Sequence, residues 1–171
     1  MRITYNSSTL NLEDLPLDIG YASEKVSLKN GAGSTFIAGG QNGGTQVIVT
    51  APFADESFSS QLKELSDLLK LNALNGVSCI AAFADAATPL PEIEGWLSGY
   101  DVDEALGDYY GIRIADGEFG GKFAKALFIV SKDGALFHSE IVPDLNAPLS
   151  IDNAIVKIAA AENCYTGKGC H

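Results

Sequence analysis

Cys164, Cys170 and His171 lie close together in the stretch ENCYTGKGCH. Two thiols and an imidazole at such spacing can hold a metal, cycle between dithiol and disulfide, or do neither. The metal reading has only three ligands, and their spacing matches no standard zinc motif. The redox reading has Tyr165 to Gly169 between the two sulfurs, and Gly167 and Gly169 permit a tight chain reversal. An intramolecular Cys164–Cys170 disulfide is the favoured reading. A metal-binding tail and a chemically inert tail stay open beside it.

The other reactive residue types are sparse. Cys79 sits in the apolar run VSCIAAFA and is expected to be a buried strand residue acting as a small hydrophobe. Ser59 as a nucleophile needs a general base. Neither histidine is near it in sequence, and His138, in ALFHSEI, is expected to be a surface or half-buried strand residue. The glycines at 39, 40, 43 and 44 fit no phosphate-binding loop, because no Lys-Ser/Thr pair follows them at the required spacing. They are expected to form a flexible turn before a core strand.

With 171 residues, 46% of them apolar, the chain has the size and core content of one compact domain. A net charge of -11 repels nucleic acid phosphates and anionic membranes, so neither is an expected partner. No run approaches the length of a membrane span, and the N-terminal stretch lacks the apolar centre of a signal peptide. The expected compartment is the cytoplasm, where most thiols are reduced.

Local patterns give the elements that must position these residues. Residues 3–5 and 9–12 flank Asn-Ser-Ser and read as a β-hairpin. KVSL and STFIAGG are short strands, and the apolar run of GGTQVIVTAP is a core strand ended by Pro52. Leu62, Leu65, Leu68 and Leu69 recur at helical spacing after the start signals Asp55, Glu56 and Ser57. VSCIAAFA is the next core strand. Short helices are expected in PEIEGWLSG and in DVDEALGDYYG. A hairpin turns at Lys132–Gly134, and a closing helix over SIDNAIVKIAAAEN has Ser150 as its expected cap. Helices separated by buried strands imply an α/β sandwich with a mixed central sheet.

Tyr110, Gly111, Ile114, Gly117, Gly121, Phe128, Asp133, Gly134, Glu140, Val142 and Pro143 form a pattern in the second half of the chain. It resembles that of the thiol peroxidases, peroxiredoxins of thioredoxin-like fold. The opening hairpin and VIVTAPFADESFS are similar to that family's N-terminal hairpin and active-site loop. The resemblance implies a thioredoxin-like (peroxiredoxin) sandwich, a mixed central sheet flanked by helices and an N-terminal β-hairpin. It implies one redoxin domain over residues 1–171, with 163–171 a cysteine-containing tail.

The family's site is a proline, a threonine four positions on, a cysteine three beyond that, and an arginine on a later strand. A thiol in the first turn of a helix, facing backbone N–H groups and a positive side chain, ionises near neutral pH. The matching positions here are Pro52, Glu56, Ser59 and Lys125, so three of the four depart from the pattern. Glu56 and Lys125 are expected to pair with each other. The segment DAATPLPEIEGW, where the family's resolving cysteine usually lies, has no cysteine.

The resulting expectation is a thiol peroxidase-like protein whose standard peroxidatic site is lost, serving as a binding or redox-responsive protein. Two alternatives are a thiol-dependent peroxidase or disulfide redox protein working through Cys164 and Cys170, and a metal-binding tail on an inert scaffold. No cofactor and no metal are expected. The expected partners are a second copy of the chain, with Trp96 in the contact, and a thiol reductant or an unidentified small ligand.

Overall fold

The structure is a computed structural model and describes residues 1–163. Cys164, Cys170 and His171 lie outside the described residues.

The apolar run Gln46–Thr50 is buried at every position, as a central strand covered on both faces requires. It is β5. Before it come the hairpin β1 (Arg2–Tyr5) and β2 (Ser8–Asn11), then β3 (Val26–Lys29) and β4 (Thr35–Ala38). After it come α1 (Glu56–Leu71), β6 (Ser78–Phe83), β7 (Trp96–Asp101), α2 (Ala105–Tyr110), β8 (Ala126–Val130), β9 (Leu136–Ile141) and α3 (Ile151–Glu162). The seven-stranded sheet has the order β4-β3-β7-β6-β5-β8-β9. β5, β6 and β7 run parallel, and the other pairings are antiparallel.

Alternation along the strands divides the core into two layers. Val47, Val49, Cys79, Ala81, Phe83, Leu127 and Ile129 pack under α1 and α3, against Phe58, Leu62, Leu65, Ile151 and Ile158. Ile48, Ile80, Ala82 and Phe128 face the other way, against Leu106, Tyr110 and Ile112. A smaller cluster of Ile3, Leu10, Leu12, Ile114, Ala124 and Leu145 seats the N-terminal hairpin. The hairpin is also tied down by its backbone. Thr4 N–H donates to Pro143 O at 2.7 Å, and Leu145 N–H donates to Thr4 O at 2.9 Å.

Three expectations are corrected. PEIEGWLSG is not helical: Trp96 begins β7, which lies between β6 and β3. Trp96, Ser98 and Tyr100 share one face of β7, and Trp96 is buried in the α1-side core rather than presented at the surface. Ser150 does occupy the N-cap position of α3, but its side chain makes no capping bond; its N–H donates to the Glu140 carboxylate at 3.0 Å. The 39–44 turn is closely tied, since Gln46 accepts from Gly39 N–H and donates to Gly40 O, both at 2.9 Å. Gly39 has φ +78°, and a Cβ there would sit 2.4 Å from Glu24 O, so only glycine fits.

Candidate active site

β5 ends at Thr50, and the chain passes through buried Ala51 and Pro52 before entering α1. Asp55 is the N-cap. Its backbone is extended, and its carboxylate accepts the Phe58 N–H at 2.8 Å, which satisfies one of the free amides of the first turn. Glu56 and Ser57 follow on the exposed side. Phe58 turns into the core against Phe83, ring centroids 5.9 Å apart. Ser59 is half-buried, and its N–H donates to Asp55 O at 3.1 Å.

Lys125 reaches this region from the sheet. It precedes β8, whose Ala126 pairs with Thr50 of β5. Its neighbours are fixed by Thr50 Oγ1 donating to Ala124 O at 2.8 Å and Val142 N–H donating to Lys125 O at 2.9 Å. The residue is only 5% exposed. Its ammonium donates to Ala147 O at 2.8 Å. Burial pushes the ammonium below the ordinary lysine range, while the Asp55 and Asp144 carboxylates act in the opposite direction.

The expected Glu56–Lys125 ion pair does not form: Lys125 makes no salt bridge with Glu56 among the described residues. Glu56 points to solvent at the first helical position, whereas Lys125 lies inside the protein and turns to the 144–147 segment. The carboxylates that govern it are one residue earlier in the chain, at Asp55, and far away in sequence, at Asp144.

The structure therefore gathers Pro52, Glu56 and Ser59 around one strand-to-helix turn and brings Lys125 toward Asp55 at its start. Asp144 and the Ala147 carbonyl were missed in sequence, and only tertiary proximity identifies them. An aromatic trio also borders the turn. Phe53 lies 5.3 Å from Phe119, and Tyr5 of β1 lies 4.9 Å from Phe119, centroid to centroid.

The remaining candidates stand apart. His138 is on the edge strand β9 opposite Ile129 and half-buried. Burial is the main cause holding its imidazole below the ordinary range, with Lys157 adding to it and Glu140 opposing. Cys79 is 6% exposed in the centre of the sheet, and burial pushes its thiol up to about 12. A thiol so shifted holds its proton at neutral pH and is a poor nucleophile. Among the described residues, no group of three or more histidine, cysteine or acidic side chains is placed to hold a metal ion.

No protein-family model matches the sequence. The chain is 24% identical over 177 aligned positions to a thiol peroxidase of Campylobacter jejuni, covering 99% of this chain and 98% of that protein. Its fold is similar to a peroxiredoxin-like protein from Aquifex aeolicus, with a TM-score of 0.78, 18% identity, and 94% and 96% of the two chains covered. It is also similar to a thiol peroxidase from Chromobacterium violaceum, with a TM-score of 0.74, 15% identity, and 92% and 95% covered. By sequence along its whole length and by the architecture of its sheet, hairpin and helices, the chain is a thiol peroxidase homologue with a thioredoxin-like, peroxiredoxin-type fold.

Proposed function

We propose that this chain keeps the thiol peroxidase scaffold without the standard peroxidatic reaction, and works as a binding or redox-responsive protein. The observation that carries this reading is the chemical content of the first turn of α1. It offers Glu56, Ser57, Phe58 and Ser59, and no thiol. A serine hydroxyl does not ionise near neutral pH and does not cycle through a sulfenic acid. Two further facts support the reading. The Lys125 ammonium is engaged by Ala147 O, with Asp55 and Asp144 compensating its charge. The nearest thiol in sequence, Cys79, is buried and protonated.

The test is peroxide consumption by the purified protein, with hydrogen peroxide or cumene hydroperoxide as oxidant and dithiothreitol or a thioredoxin system as reductant. Turnover no faster than buffer supports the proposal. Family-level turnover that survives replacement of both Cys164 and Cys170 overturns it.

A second reading moves the redox chemistry to Cys164 and Cys170. Its support is that these are the two cysteines outside the buried sheet position. In this reading they form an intramolecular disulfide that exchanges with cellular thiols. Closing so short a loop stabilises the chain by roughly 2 kcal/mol, so the fold survives reduction. Peptide mass measurement after alkylation without reductant and with chelator present separates the states: no label at Cys164 and Cys170 means a disulfide, and labels on both mean free thiols. Metal bound by these residues and His171 is the remaining alternative, read by elemental analysis of protein purified without chelator.

The proposed assembly is a homodimer in the cytoplasm, with a thiol reductant or a small ligand as further partner. Sedimentation of an 18.0 kDa species at high concentration would remove the dimer. Among the described residues, no helix is long and apolar enough to cross a membrane.

A further inference from the structure

Asparagine followed by glycine is open to a backbone reaction in which the glycine nitrogen attacks the asparagine side-chain carbonyl carbon. Glycine favours it because no side chain blocks the approach and its backbone turns freely. The chain has three such pairs, Asn30–Gly31, Asn42–Gly43 and Asn75–Gly76.

The structure separates them. Asn30 Oδ1 accepts the N–H groups of Ala32 and Ser34, both at 3.0 Å, and Asn30 N–H donates to Ser34 O at 2.8 Å. Asn42 Oδ1 accepts the Gly44 N–H at 2.9 Å. Both carboxamides are thus fixed as caps of their own turns, a role that asparagine fills well. Asn75 and Gly76 are exposed in the turn between α1 and β6. Among the described residues, neither the Asn75 side chain nor the Gly76 N–H has a hydrogen-bond partner.

We infer that Asn75–Gly76 is a spontaneous modification site, at which Asn75 becomes aspartate and isoaspartate while Asn30 and Asn42 are held back. The Gly76 nitrogen gives its proton to solvent base and bonds to Asn75 Cγ, closing a succinimide ring. The bond from Cγ to Nδ2 breaks, and the nitrogen leaves as ammonia. One water then opens the ring at either carbonyl. The sum is asparagine plus water giving an acid plus ammonia, with no oxidant or reductant.

The place matters for the fold. The Gly76 carbonyl oxygen is 3.5 Å from where a Cβ of Gly44 would lie, so this turn packs beside the 42–44 turn. Two residues on, Ser78 N–H donates to Thr45 O at 3.0 Å, where β5 and β6 begin to pair. Isoaspartate lengthens the backbone by one methylene just before that rung, and either product adds a negative charge to an acidic chain.

The test is to age the intact protein in warm, mildly alkaline buffer and follow each pair by peptide mass mapping, with fragmentation that distinguishes aspartate from isoaspartate. The expected result is conversion at Asn75 about fivefold or more faster than at Asn42, since one ordinary hydrogen bond restrains by about that factor. Asn75→Gln should abolish the fastest-forming acidic species. In urea the three pairs should react at similar rates. Equal rates in the folded protein, or no conversion at Asn75, would overturn the inference. So would persistence of the folded order in urea, because flanking sequence would then set the order.

Discussion

Lys125 donates its ammonium proton to the carbonyl oxygen of Ala147 at 2.8 Å, although twenty-two positions separate the two residues. This bond turns the buried cation toward the 144–147 segment, with Asp55 at the start of α1 as one of the two carboxylates that act on it.

Introducing a thiol alone should therefore do little. Ser59→Cys places sulfur in the first turn, but Asp55 and Glu56 flank that turn with negative charge, and a neighbouring carboxylate raises a thiol pKa. Peroxide turnover of Ser59→Cys should stay near background, and the triple change Glu56→Thr, Ser59→Cys, Lys125→Arg should exceed it. Equal, high turnover in both proteins would mean that the charges around the turn do not control the thiol.

The cap should be measurable by itself. Asp55→Ala removes the acceptor of the Phe58 N–H and should cost about 1 kcal/mol. It also removes one of the two carboxylates that favour protonated Lys125, so the ammonium should titrate at lower pH than in the parent protein. Urea unfolding reads the first effect, and NMR titration of the lysine side chain reads the second.

Alkaline stability should depend on Cys79. Its folded pKa is about 12 against an ordinary thiol value of 9.0, so between these values the unfolded chain releases a proton that the folded chain keeps. The unfolded state then binds fewer protons, and stability falls as pH rises through that window. That separation corresponds to at most about 4 kcal/mol by pH 12. Cys79→Ala should flatten this part of the profile, although the cavity it leaves lowers stability at every pH. An unchanged slope in the variant would assign the alkaline loss elsewhere, with Tyr110, also pushed up to about 12, as the first candidate.

Gln61 offers a test of how α3 is held. Its side-chain oxygen accepts the buried Leu149 N–H at 2.7 Å, just before α3 begins. Gln61→Leu keeps much of the volume but leaves that amide unpaired, which costs about 1–3 kcal/mol. A shift in the urea midpoint with an unchanged slope is the expected result.

The helix α1, its flanking strands β5 and β6, and the second hairpin were legible in sequence because each carries its own period or turn residues. β7 was not. Its six residues, WLSGYD, place only Trp96, Ser98 and Tyr100 on the α1 side. On its other face Gly99 has no side chain, and Phe36 and Leu28 from neighbouring strands fill the space, 2.9 and 3.0 Å from where its Cβ would be. A strand whose surface is supplied by its neighbours has no apolar alternation of its own to detect. Trp96 was misplaced for the same reason. At the site, the positions Pro52, Glu56, Ser59 and Lys125 could be named from one stretch and one distant strand, but not their electrostatics. Glu56 was the natural partner for Lys125 by charge, while the helix entry exposes Glu56 and the interior carries Lys125 toward Asp55 and Asp144.

The docked N-terminal hairpin also bears on the order of folding events. Thr4 Oγ1 and Thr4 N–H both reach Pro143 O, a contact spanning 139 positions of sequence. Closing so long a loop is entropically costly and slow unless the intervening chain is already compact. The 143–147 segment that the hairpin fastens is the one that receives the Lys125 ammonium. The surroundings of that cation thus depend on a long-range closure whose entropic cost is smallest once the central sheet has already drawn the chain together.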